Sequence, residues 1–374
     1  MKTNLKNAAV MLQALMASDV PTSLLGSPGL GKSDVVKSVA NALNLKLIDF
    51  RLSTADPTDL SGLPFMEEGR SVFLPNRAFP LKTDKLPPHT DAEGNPVKLP
   101  VLDENGVHLT DPSTGGLAYT YPHYDGWLLF LDEITNAPMS VQAAAYKLIL
   151  DRQVGEHDLH PTVKIVAAGN NVDDGAAVTG EMSTALKSRM AHINIEFSRE
   201  AWFDWAMEAG VHHAITSFLK FMPGEMYRFD PKDAADTFPC PRTWAMVDRI
   251  VQTVGLGHPM LQDMISATIS DGTATNFVNY TKHFTGLPTY EEIVKDPKGT
   301  HMPDNQSVLF ALSGSVGAQT KADTIAAVME YVDRMPREFQ LRTFNDFTRR
   351  NPSLVGLPPV RAWLQKNSKD MIGA

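Results

Sequence analysis

The chain is predicted to be an α/β protein, a parallel sheet sandwiched by helices and followed by an α-helical region. Three observations predict it. The residues Gly26-Ser27-Pro28-Gly29-Leu30-Gly31-Lys32-Ser33 match the pattern G-x-x-x-x-G-K-[ST] at every fixed position, between Thr22-Ser23-Leu24-Leu25 and a helix-like run over 34–43. The run Trp127-Leu128-Leu129-Phe130-Leu131 has the unbroken hydrophobicity of a strand buried on both faces, and ends in Asp132-Glu133. After Ser198 the strand-like runs stop and Trp202, Trp205, Ala206 and Ala209 recur at helical spacing.

Each element follows in order. Leu5, Ala8, Leu12, Leu15 and Met16 space a helix over 4–17, and Gln13 interrupts the apolar stretch too early for a secretory signal. A strand at 22–25, a helix at 32–43 and a strand at 45–51 precede an insert at about 80–125, rich in Pro and Gly. Within it Asn105-Gly106, flanked by Val-Leu and Val-His-Leu, signals a hairpin, and Pro100 confines its first strand to an edge. Strands at 127–131, 163–168 and 192–197 alternate with helices at 140–151 and 181–188. Such alternation gives a parallel sheet with helices on both faces. The expected domains are 1–198, a helical lid at 199–290 and a helical extension at 291–374.

The motifs carry chemistry as well as fold. Glycines at 26, 29 and 31 let successive backbone N–H groups point at one anion, and the following helix start adds its positive end. Lys32 is then expected at the β- and γ-phosphates and Ser33 on Mg²⁺. Carboxylates at the carboxyl end of a parallel strand lie in the ligand crevice, so Asp132 is expected in the Mg²⁺ shell and Glu133 at the attacking water. The aromatics Tyr119, Tyr121, His123, Tyr124 and Trp127 read as loop packing, with a substrate grip as the alternative. His157 and His160 lack metal-ligand spacing and read as a solvated turn.

With these motifs in place, residues 24–250 resemble the AAA+ ATPases, specifically the MoxR-like branch. Thr58-Asp59-Leu60-Ser61-Gly62 with Gly69, Phe73 and Pro75 is similar to a segment of that branch carrying a small hairpin. Leu131-Asp132-Glu133-Ile134-Thr135-Asn136-Ala137-Pro138, then Val141-Gln142 and Asp151-Arg152-Gln153-Val154, resembles its Walker B strand and next helix, with Asn136 where the branch usually has Arg. The resemblance implies that Asn170 is a polar sensor of the lytic water, although Asn171 replaces the usual Pro. It implies that Arg189 is an arginine finger reaching a neighbour's γ-phosphate, with Arg152 a weaker candidate. It implies that Arg242, after Pro241, is a second sensor on a lid.

Composition adds limits. The chain of 374 residues is 43% hydrophobic, ample for buried cores, and its net charge of −9 gives no overall electrostatic footprint for nucleic acid. One cysteine, Cys240, excludes an intramolecular disulfide and fits a reducing compartment, and no apolar run approaches the roughly 18 residues of a membrane span. The expected function is Mg²⁺-dependent ATP hydrolysis by a cytoplasmic protein. The resemblance adds a homo-oligomeric ring, expected to be a hexamer, that remodels a protein substrate or a von Willebrand A-type partner. The alternatives are a nucleic-acid motor of a restriction or defence complex, and a nucleotide-regulated scaffold with slow turnover. No base-recognition motif separates ATP from GTP.

Overall fold

The apolar runs separated by helical spacing assemble into one sheet in the computed structural model, which describes residues 2–91, 93–171, 182–230, 237–282 and 287–367. The chain divides into two units, Met1–Phe197 and Ser198–Ala374. Along the first run β1 (Lys2–Thr3), α1 (Leu5–Ala17), β2 (Thr22–Gly26), α2 (Lys32–Ala42), β3 (Leu45–Arg51), α3 (Pro57–Ser61), β4 (Leu63–Glu67) and β5 (Arg70–Leu74). Then come β6 (Leu99–Pro100), β7 (Tyr119–Thr120), β8 (Gly126–Asp132), α4 (Met139–Leu150), β9 (Gln153–Val154), β10 (His157–Asp158), β11 (Val163–Gly169), α5 (Thr184–Lys187) and β12 (Ala191–Ile195).

The central sheet has the order β1-β12-β2-β11-β8-β3, and every neighbouring pair is parallel. Leu129, Leu131, Ile165 and Ala167 pack with Val141, Ala145, Leu148 and Ile149 of α4. The alternate positions Leu128, Phe130 and Val166 are equally buried, at 0% exposure, facing the side of α1 and α2. Period-two alternation places both sets. Each such side chain contributes roughly 1.5–3 kcal/mol, which is why residues 127–131 carry no charged side chain on either face.

Several details differ from expectation. β1 was not legible, because a two-residue strand has no pattern; it exists by pairing Lys2 with Asn194 and Thr3 with Ile195. The helix expected at 181–188 is described as Thr184–Lys187 with Ser183 as its N-cap, and Glu181 lies outside the described residues. In the insert, Asn105-Gly106 does form a turn, yet the ribbon is longer than one hairpin. Asp91, Asp103 and Asp111 each head a turn by accepting backbone N–H groups, and Gly94, Gly106 and Gly115 follow in left-handed conformation. Leu99–Pro100 pairs with Tyr119–Thr120 across the ribbon.

The second unit is helical throughout its described residues: α6 (Arg199–Glu208), α7 (His213–Phe221), α8 (Pro241–Val254), α9 (Leu261–Ser266), α10 (Asp271–Thr281), α11 (Tyr290–Lys295), α12 (Gln306–Gln319), α13 (Ile325–Val332), α14 (Arg337–Arg350) and α15 (Pro358–Asn367). On α6 the buried stripe is Trp202, Phe203, Ala206 and Met207, while Trp205 is 44% exposed, so the stripe lies one residue away from the expected face. Helix α12 approaches its neighbours closely: a Cβ at Gly314 would lie 2.9 Å from Ser217 Cβ, and one at Gly317 would lie 2.7 Å from Asp346 Cβ. Among the described residues no helix is long and apolar enough to cross a membrane.

Candidate active site

The strand order reverses at β2, whose neighbours β11 and β12 come last in the sheet's chain order. In open parallel sheets, ligands bind outside the carboxyl ends of the strands at such a point. Three segments meet there: residues 26–33 after β2, Asp132-Glu133 at the end of β8, and Asn170 after β11.

The phosphate-loop residues hold the conformation their glycines were expected to permit. Gly29 and Gly31 have φ of 76° and 95°, and Gly31 is the N-cap of α2. Gly26 has a different reason to be glycine: a Cβ there would lie 2.7 Å from the Ile195 carbonyl oxygen. Leu30 is buried at 2% exposure and anchors the loop tip, between Ser27-Pro28 and the helix. Lys32 Nζ donates to the carbonyls of Gly26 at 2.6 Å and Ser27 at 3.0 Å, and to Asn170 Oδ1 at 3.2 Å. Its ammonium is thus held inside the loop mouth, next to the strand that brings Asn170. Asp34 in the first turn of α2 complements the helix dipole.

Ser33 Oγ lies 3.4 Å from Asp132 Oδ2. Two oxygens on adjacent corners of a Mg²⁺ octahedron of about 2.1 Å radius lie roughly 3 Å apart, so this pair fits a shared shell, and both are the hard oxygen donors that ion prefers. Burial, with Asp49 and Glu133 nearby, raises the pKa of Asp132 against the opposing hydrogen bond from the Glu133 N–H. A cation at this point would restore the ionised form.

Glu133 sits in left-handed conformation, φ 58°, which turns its side chain out of the line of β8. Oε2 accepts a hydrogen bond from the Ser53 hydroxyl, and Arg51 Nε lies 3.7 Å from Oε1. Thr135 Oγ1 accepts the Asn170 N–H at 3.0 Å, and a Cβ at Gly169 would lie 2.7 Å from that oxygen. Arg51, Ser53 and Thr135 are the site residues that sequence reasoning missed. Arg51 ends β3, whose sequence LKLIDFR mixes apolar and charged residues, and it reaches the site only through its register with Asp132 across the sheet.

The arginines separate. Arg189 is exposed and turned back on α5, its Nη1 donating to Ala185 O at 3.3 Å and to Ser188 Oγ at 2.7 Å, with its guanidinium 5.3 Å from the Tyr146 ring. The turn carrying it leads to Ala191, which pairs with Thr22 at the amino end of β2. Strand β2 is 5 residues long, which at about 3.3 Å per residue puts that turn roughly 13 Å from the loop of its own chain. Arg152 lies at the same sheet end and is occupied by Asp19 at 3.6 Å and by the Val163 carbonyl, which leaves it a structural role. In the second unit, Arg242 is exposed on the first turn of α8, where a cation opposes the helix dipole. Of the aromatics, Trp127 is buried at 6% exposure against His160, and Tyr124 stacks on His89. Tyr119 and Tyr121 remain exposed.

Comparison with protein-family models and with curated proteins finds no match. Among solved structures the chain is similar to a point mutant of RuvB from Thermotoga maritima, at 17% identity over 88% of this chain and 86% of that one, with a TM-score of 0.36. It is also similar to NtrX from Brucella abortus in complex with ADP, at 13% identity over 98% of this chain and 68% of that one, with a TM-score of 0.32. At these scores the chemistry rests on the side chains described above.

Proposed function

We propose that the protein is an ATPase of AAA+ type, hydrolysing ATP to ADP and phosphate with Mg²⁺. The observation that carries this reading is the convergence of Lys32, Ser33, Asp132, Glu133 and Asn170 from three strand ends into one crevice. Residues 26–33 would cradle the phosphates, Lys32 exchanging its carbonyl partners for phosphate oxygens. Ser33 and Asp132 would hold Mg²⁺, which supplies charge neutralisation at the β- and γ-oxygens. Glu133 accepts a proton from water as the water oxygen bonds to the γ-phosphorus, and the bond from that phosphorus to the bridging oxygen breaks. Asn170, oriented through Thr135, positions that water.

The finer reading is a MoxR-like, cytoplasmic ring, hexameric by the same resemblance, in which Arg189 completes a neighbour's site and Arg242 senses nucleotide from the helical unit. The ring would remodel a protein partner, one with a von Willebrand A-type domain by resemblance. Support for action between copies comes from Arg189 lying at the sheet end opposite its own loop.

Complementation tests it. Arg189→Ala and Lys32→Ala proteins, each inactive alone, should recover turnover when mixed, because a mixed assembly contains a sound loop facing a sound Arg189. No recovery despite proven co-assembly would remove the shared-site reading. Stimulation by DNA rather than by protein would favour the nucleic-acid motor instead.

A further inference from the structure

We propose that His192 is a positioning residue that fastens the Arg189 turn to the strand leading into the phosphate loop; the inference rests on the shared-site reading above. His192 pairs in register with Ser23 on β2, three residues before Gly26, and the two side chains meet at 2.6 Å between Ser23 Oγ and His192 Nδ1. The other ring nitrogen, Nε2, lies 2.7 Å from the carbonyl oxygen of Lys187. A carbonyl only accepts, so Nε2 carries the hydrogen, and in the neutral ring Nδ1 then accepts from the Ser23 hydroxyl. That hydroxyl is on a residue with 0% exposure, and the imidazole satisfies it.

The geometry makes one side chain a strut between two functional elements. Lys187 ends α5, Ser188 caps it, and Arg189 follows. Beyond Arg189 the chain is fastened again, Ala191 N–H donating to Pro21 O at 2.9 Å. Arg189 therefore projects from a short bridge whose two ends are tied to β2 and to the residue just before it. The backbone tie at Ala191 survives any side-chain change, whereas the tie from the Lys187 carbonyl to Ser23 runs through a side chain that substitution can remove. The angle at which Arg189 meets a neighbour's phosphates is then set through Ser23 and His192 as well as through Ala191.

Two near-isosteric variants each keep one tie and cut the other. The side-chain nitrogen of a glutamine can take the place of Nε2 and keep the bond to Lys187 O; an asparagine side chain reaches only the position of Nδ1 and keeps Ser23. His192→Asn should therefore lower kcat roughly tenfold to a hundredfold, the scale of a misplaced catalytic group, with KM and nucleotide Kd unchanged. His192→Gln cuts the same strut at Ser23 and should lower kcat likewise, as should Ser23→Ala, which leaves the imidazole and its bond to Lys187 in place. Mixing His192→Asn with Lys32→Ala should recover turnover, since the defect lies in what the subunit offers its neighbour. Parent-like turnover in either the Asn or the Gln variant, or a loss confined to KM, would each overturn the inference. If Arg189→Ala with Lys32→Ala recovers and His192→Asn with Lys32→Ala does not, the function stands and this inference falls. If neither mixture recovers, the shared site falls and this inference with it.

Discussion

Ser53 donates its hydroxyl hydrogen to Oε2 of Glu133, from just beyond the strand whose last residue, Arg51, faces the other carboxylate oxygen. The proposed base is thus engaged by its own chain, and that hydrogen bond restrains the carboxylate from turning to another position. Ser53→Ala should raise the basal rate of ATP hydrolysis up to about tenfold, the equivalent of about 1.4 kcal/mol, without changing nucleotide affinity. A slower variant would mean that Ser53 orients Glu133 instead of restraining it.

Lys32→Ala and Glu133→Gln should divide binding from chemistry. The first removes the ammonium that Gly26, Ser27 and Asn170 hold in the loop mouth, and titration with fluorescent nucleotide should show binding lost. The second should bind Mg²⁺ and ATP as the parent does while turnover stops, because an amide cannot accept the water's proton. Parent-level hydrolysis by the Gln variant would point to another base.

The raised pKa of Asp132 has two opposite signatures. In the proposed site Mg²⁺ would bind the ionised carboxylate, so Mg²⁺-dependent nucleotide affinity should weaken as pH falls through a midpoint above the ordinary aspartate range. Without Mg²⁺ the folded chain holds this proton more tightly than the unfolded chain, so its contribution to stability is present at low pH and lost as pH rises through the raised pKa. Asp132→Asn should flatten both dependences, read by affinity titration and by urea unfolding; an unchanged stability profile would refute the burial argument.

Acid should loosen the helical unit through His213. Burial, with His212 stacked on it and Arg350 also opposing its charge, pushes its pKa down to about 3. The neighbouring anions are engaged elsewhere: Asp248 with the His212 backbone, Asp346 with Lys220. The unfolded chain takes the proton near pH 6.5, so stability is full above that and is lost as pH falls toward 3, at up to about 1.4 kcal/mol per pH unit. His213→Gln should reduce the difference between urea midpoints at pH 8 and pH 5. The same difference in parent and variant would assign the acid sensitivity to other groups.

The long elements were legible because burial on both faces forces an unbroken apolar run, as at Leu128 to Leu131, and because the phosphate loop fixes the identity of a strand, a turn and a helix together. What escaped reading depends on register. Arg51 meets Glu133 only because β3 and β8 pair Arg51 with Asp132, and His192 meets Ser23 only because β12 and β2 lie side by side. Nothing local marks Ser53 or Thr135 as partners of Glu133 and Asn170, since a hydroxyl residue in a turn is common. The three aspartate-headed turns of the insert were visible in principle, as an Asp three or four residues before a Gly, repeated at Gly94, Gly106 and Gly115.

The interleaved sheet also dictates the order in which the protein can be built. β2 leaves the ribosome early, but its partners begin only at Val163 and Ala191, so its apolar faces and backbone groups have no place in the sheet until most of the first unit has been synthesised. Loops that long make closure slow and leave an aggregation-prone segment waiting. The proposed nucleotide site therefore has no sheet to stand on until Ile195 has emerged, and a ribosome stalled before that point would carry a phosphate-loop sequence without a phosphate loop.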